Sequence, residues 1–172
     1  MAFNCDKFSP KVLGLDPGLV ATGYSIVKSS KYLAYGVIKP DPQKDWIFRI
    51  AEIVSRLKKI IRTYRPEVCV VETLFFRKVS ARSVITSAHL RGAILYLLFS
   101  EKIPLIEITP AKIKKAVTGN GRASKAQIAY MVRHLYNINE NLNHHTSDAL
   151  AIAYTYLVAP NNFTTNFKYI KP

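Results

Sequence analysis

The chain has 172 residues, 49% of them apolar, with 25 Lys and Arg against 11 Asp and Glu for a net charge of +14. That length and apolar content exclude a disordered chain and suit one domain with a sizeable core. So large a basic excess excludes a cationic partner and favours a polyanion, nucleic acid first; a merely solvated basic surface is the plainer reading.

In chain order, "KVLGLD" from Lys11 to Asp16 reads as a buried strand, and Pro17 and Gly18 follow it. Asp-Pro-Gly is turn chemistry, with Asp bonding its own backbone, Pro presetting φ and Gly taking φ > 0. A metal-binding carboxylate at Asp16 is the other reading, and it needs partners elsewhere. "TGYSIVKS" and "YLAYGVIK" read as two further strands around a turn at residues 29–31, an antiparallel meander. Asp45 is placed to cap a helix in which Trp46, Ile47, Ile50, Val54, Leu57, Ile61 and Tyr64 recur at helical spacing, with Pro66 as the stop.

"EVCVVE" is nearly all apolar, as in a strand buried on both faces, and makes Cys69 a small buried hydrophobe. Val84, Ile85, Ala88, Gly92, Leu95, Tyr96 and Phe99 mark a second long helix, whose small Ala88 and Gly92 admit another backbone. "IPLIEIT" is a fifth strand, short helices start at Pro110 and Ser124, and "SDALAIAYTYLV" is the last helix. The expected fold is α/β: a five-stranded mixed sheet with helices on both faces. Residues 1–160 form one domain, and 161–172 a loose tail.

No run reaches the ~18 apolar residues of a membrane span. The start, "MAFNCDKFSP", lacks a signal-peptide core, and Cys5 and Cys69 have no metal spacing. A cytoplasmic protein with no membrane partner is expected.

Charge is distributed unevenly. Between Glu72 and Glu101 there is no acid, but Arg77, Lys78, Arg82 and Arg91 are present. From Ala111 to His134 the same holds, with Lys112, Lys114, Lys115, Arg122, Lys125 and Arg133. Basic blocks after strand ends would line one rim of the sheet.

Three acids fall where chemistry commonly sits. Asp16 ends the first strand, Glu72 ends the fourth, and Asp148 opens the last helix with His145 three residues before it. Singly, each has an ordinary reading: turn former, loop start, helix N-terminal acid, cap neighbour. Together they describe carboxylates and an imidazole converging from distant segments. Hard oxygen donors suit Mg²⁺ or Mn²⁺. Two ions about 3.5–4 Å apart would serve an in-line displacement at phosphorus.

The stretches "GLDPGLVATGY", "VVETLFF", "VTGNGRASKAQIAYMV" and "HHTSDALAIAYTY", in that order over about residues 11 to 158, resemble the RuvC family of Holliday-junction resolvases, within the ribonuclease H-like superfamily. The resemblance implies a structure-selective endonuclease that acts as a homodimer on four-way DNA junctions. It also implies Mg²⁺-dependent nicking of two opposed strands, beside the RuvA and RuvB branch-migration proteins. Carried over residue by residue, Asp16, Glu72, His145 and Asp148 become catalytic metal ligands. Phe75 becomes the aromatic that stacks on bases, and Lys114 and Lys125 hold the scissile phosphate region, Lys125 as a catalytic cation. From the basic blocks, Arg77, Lys78 and Arg122 are expected as further DNA contacts. "RKVSARSVITSAHLRG" departs from the family pattern, so no cleavage-sequence preference carries over. A ribonuclease H-like nuclease for RNA or hybrids, or a non-catalytic junction-binding protein, are the alternatives.

Overall fold

In the computed structural model, which describes residues 9–73 and 81–159, the chain opens with β1 (Lys11–Asp16), β2 (Thr22–Lys28) and β3 (Lys31–Ile38). Then follow α1 (Trp46–Tyr64), β4 (Val68–Glu72), α2 (Ala81–Ser100), β5 (Leu105–Ile108), α3 (Pro110–Thr118), α4 (Lys125–Leu135) and α5 (His144–Val158). The strands form one sheet in the order β3-β2-β1-β4-β5. The meander β1-β2-β3 is antiparallel, while β1-β4 and β4-β5 are parallel. The mixed sheet is therefore as expected, with β1 and β4 as parallel neighbours.

The two-residue period of a strand sorts side chains between two cores. Val12, Val68, Val70, Ile106 and Ile108 face the layer of α3, α4 and α5. Leu13, Leu15, Cys69, Val71 and Leu105 face α1 and α2. By the same parity Asp16 and Glu72, which continue the first set, are directed to the α5 side. Asp45 caps α1 by accepting from the Ile47 amide, and Arg65 closes it in the left-handed region at φ 49. Ser124 and Gln127 form a reciprocal capping box on α4.

Burial sorts the faces of two helices, and one expectation needs correction. Ile47 is not a core residue: it is 58% exposed, beside exposed Phe48, and the buried face of α1 is Ile53, Leu57 and Ile61. The stripe used to recognise α2 points outward: Ile85, Tyr96 and Phe99 are exposed, while Leu90, Ile94, Leu97 and Leu98 fill the core. Among the described residues, the hydropathy of one helix, α2 over Ser83–Ser100, reaches that of a membrane span by length and composition, although Thr86, His89 and Arg91 interrupt it, so the expectation of no unbroken apolar run of that length stands. That hydropathy is the sum of a core face and an exposed stripe on one helix. Finally, α5 starts at His144, capped by Asn143, so Asp148 lies in its second turn rather than at its opening. Phe75, Arg77, Lys78 and the tail 161–172 lie outside the described residues.

Candidate active site

The carboxyl ends of parallel strands in an open α/β sheet are where ligands usually bind, and the acids gather there. Asp16, Glu72 and Asp148 line one open cavity of about 430 Å³, together with Lys114, Lys125 and Arg91.

The turn after Asp16 is closed by Thr22, whose hydroxyl donates to the Gly18 carbonyl at 2.9 Å and accepts from the Gly18 amide at 3.3 Å. Arg49 Nη2 ties it to α1 by donating to the Leu19 carbonyl at 2.7 Å. Gly18 does not take the expected positive φ. It is needed for space: a Cβ there would stand 2.6 Å from the Ala21 carbonyl oxygen. Glu72 is held at the end of β4 by pairing that continues past it, Thr73 donating to the Ile108 carbonyl at 2.9 Å.

The third element is seated by absent side chains. On β1 and β2, Gly14 lies opposite Ser25 and Asp16 opposite Gly23. A Cβ on Gly14 would come within 2.2 Å of the Ala149 carbonyl oxygen, and one on Gly23 within 2.0 Å of the His145 carbonyl oxygen. Ser25 Oγ donates to that same Ala149 carbonyl at 2.9 Å. The backbone of α5 therefore rests directly on the sheet, and its first turn, which carries His145, overhangs Asp16.

Two polar contacts result. His145 Nδ1 donates to Asp16 Oδ2 at 2.6 Å. An ionised carboxylate only accepts, so Nδ1 carries the proton, and in the neutral imidazole Nε2 keeps the lone pair that a metal can use. His144, the first residue of α5, is exposed and has no such contact with Asp16. Lys125 Nζ donates to Asp148 Oδ2 at 3.5 Å, with its side chain 73% exposed. So exposed a pair is worth about 0–1 kcal/mol and is easily exchanged for a phosphate. Burial pushes the Asp148 carboxyl above its ordinary range; Lys125 opposes this and Asp16 adds to it.

The donor set suits a hard divalent cation in chemistry: three carboxylates and one imidazole nitrogen, with a partly buried acid that a nearby cation would relieve. Among the described residues, three such donors are not already drawn into a ligating cluster. Asp16 and His145 touch, while Glu72 and Asp148 reach the cavity separately. Arg122 is exposed and outside the cavity lining; its amide caps the loop by donating to Asn120 Oδ1 at 2.9 Å. Arg91 was named in the sequence only as one basic residue among several. Its signal was being the single charge in the stretch from Leu90 to Phe99.

The chain is similar to known proteins along nearly its whole length. The family described as "Crossover junction endodeoxyribonuclease RuvC" matches residues 12–156. A crossover junction endodeoxyribonuclease RuvC from Chloroherpeton thalassium is 39% identical over 146 residues, 82% of this chain and 78% of that protein. The structure of Thermus thermophilus RuvC in complex with Holliday junction substrate superposes with a TM-score of 0.82 at 30% identity, covering 91% of this chain and 99% of that one. The yeast mitochondrial Holliday junction resolvase shares the fold, with a TM-score of 0.64 at 16% identity over 87% of this chain and 78% of that one.

Proposed function

Because the chain belongs to the RuvC family of crossover junction endodeoxyribonucleases, a metal-dependent group, we propose that it resolves four-way DNA junctions by nicking two opposed strands. The observation that carries this is the single cavity shared by Asp16, Glu72 and Asp148 inside a chain of net charge +14.

In this reading Asp16, Glu72, Asp148 and His145 through Nε2 hold Mg²⁺ or Mn²⁺, two ions per site. Bound there, the ions would supply an activated water and charge stabilisation at the scissile phosphate. The remaining work falls to the protein. Lys114 and Lys125 bring the phosphate to the acidic floor, and Lys125 exchanges Asp148 for it. Arg122 contacts the backbone from the rim, while Phe75, Arg77 and Lys78 meet the junction beyond the described residues. RuvA and RuvB are the expected partners, and the cytoplasm the expected compartment.

The test compares a four-way junction, a linear duplex and an RNA–DNA hybrid on gels, with Mg²⁺ and with chelator. Cutting confined to the junction and abolished by chelator is expected. Equal cutting of hybrid, or cutting in chelator, overturns the proposal.

His145→Ala should lower cleavage by ~10–100-fold, the usual cost of disturbing a metal site. His144→Ala should stay near the parent. Single-turnover cleavage of both variants decides between them, and the reverse ranking shifts the ligand by one residue.

Two opposed cuts need two sites. The outward stripe of α2 supplies the seam, with Tyr96 74% exposed, Ile85 and Phe99 beside it, and open space where Gly92 would carry a Cβ. Light scattering should give twice the 19.4 kDa chain mass. Tyr96→Glu, which puts a charge in the seam, should give the single mass and lose paired nicking. An unchanged dimer in that variant moves the seam elsewhere.

A further inference from the structure

Arg91 reaches the cavity from the other side of the sheet. It stands on α2, whose core face packs beneath the strands, yet its guanidinium lies at their ends. Nη1 donates to the main-chain oxygen of Glu72 at 3.3 Å, and Nη2 pairs with the carboxylate of Glu107. Glu107 sits on β5 opposite Val71 of β4. It shares the parity of Leu105, so it faces α2. The Arg91 side chain is only 14% exposed and that of Glu107 29%.

Burying charges this far is costly, and apolar side chains of the same volume would commonly pack as well. The neighbours Leu90, Ile94 and Leu98 show what packing alone selects on this helix. The guanidinium does two things no apolar residue does there. It holds the backbone of the strand end that carries Glu72. It also puts a fixed positive charge under a cavity lined by three carboxylates.

We propose, resting on the reading of this cavity as a divalent-cation site, that Arg91 is a positioning residue that anchors Glu72 and, with Glu107, sets how tightly the cavity holds its cation. Removing the guanidinium deletes a positive charge that lines the cavity and leaves Glu107, on β5 next to the end of β4, as an unpaired carboxylate. Cation binding then tightens while Glu72 loses its anchor. Glu107→Gln does the opposite to the charge: the guanidinium stays, its counter-charge goes, and cation binding weakens. A packing role moves both variants the same way, toward weaker binding.

The experiment is a Mn²⁺ titration of the metal-free full chain, followed by electron paramagnetic resonance. It uses the parent, Asp16→Asn, Arg91→Gln and Glu107→Gln, with thermal melts to confirm folding. The expected Mn²⁺ Kd falls about tenfold in Arg91→Gln and rises about tenfold in Glu107→Gln, the scale of one unit charge in a partly solvated site. Junction cleavage by Arg91→Gln at saturating Mn²⁺ falls despite the tighter binding. Weaker or unchanged Mn²⁺ binding in Arg91→Gln overturns the proposal. If that variant does not fold, Arg91→Lys and Glu107→Gln carry the test. Lys keeps the charge but cannot span both partners, so Mn²⁺ affinity stays within about twofold while cleavage drops. Tighter Mn²⁺ binding by Arg91→Lys, or unchanged binding by Glu107→Gln, overturns it equally. Failure of the cation-site reading looks different: the parent then shows no saturable Mn²⁺ binding, or Asp16→Asn binds as the parent does.

Discussion

Asp16→Asn, Glu72→Gln and Asp148→Asn should each keep four-way junction binding and lose at least ~100-fold in cleavage, as when a group that acts on the transition state is removed. Each change is isosteric and neutralises one carboxylate, so the cavity keeps its shape. What goes is a hard anionic donor, for which an amide is a poor substitute toward a divalent ion. On the proposed reading, junction affinity rests on phosphate contacts to the basic rim, and Lys114, Lys125 and Arg122 are untouched. Binding should even tighten slightly, since an acid that repels phosphate has been neutralised. Mobility shift in chelator measures binding, and single-turnover cleavage measures the chemistry. Loss of binding together with cleavage in all three variants would show that these acids hold the structure, not a metal.

Gly23→Ala is the second large effect, and it acts without touching any charged group. The new Cβ would meet the His145 carbonyl oxygen at 2.0 Å. That atom belongs to a helix backbone and cannot rotate aside, so α5 must lift from the sheet. Overpacking of this kind costs about 1–3 kcal/mol, which lowers Tm by roughly 2–12 °C in a chain of this size. Activity should suffer more than stability. His145 and Asp148 ride on α5 while Asp16 stays on β1, and a displacement near 1 Å costs ~100-fold when it separates groups that act together. Gly14→Ala should behave alike, since its Cβ would lie 2.2 Å from the Ala149 carbonyl oxygen. Scanning calorimetry beside single-turnover cleavage checks both. A Gly23→Ala protein with parental Tm and rate would mean that α5 sits further from the sheet than described.

The acids were legible because each breaks a pattern: Asp16 and Glu72 end apolar runs, and an ionisable residue there has few structural uses. Their convergence was legible because short connections and one parallel crossover leave β1 and β4 few other arrangements. The inner face of α2 was not. That helix is apolar nearly all round, so helical spacing fits the outward set from Ile85 to Phe99 as well as the inward set from Leu90 to Leu98. Arg91 went unweighted because its partners, Glu107 and the Glu72 carbonyl, lie on the two strands that flank α2 in the chain, and only the pairing of those strands brings both to one guanidinium. The start of α5 was set three residues late, since "NLNHHTS" is polar and the Asn143 cap carries no apolar period behind it. The glycine seat under α5 has no sequence signature at all: Gly14 and Gly23 sit in ordinary-looking strands, and only the docked helix shows why a methyl group is excluded.

The contact between Asp16 and His145 joins residues 129 positions apart. A ribosome adding ~5–20 residues per second needs roughly 6 to 26 seconds to travel between them. For that interval the nascent chain owns a first carboxylate and a bare glycine bed, but no cutting centre. Release of activity thus waits for the last helix to be made and to settle, so a truncated translation product that ends before α5 carries the basic rim of Lys114 without the means to break a strand.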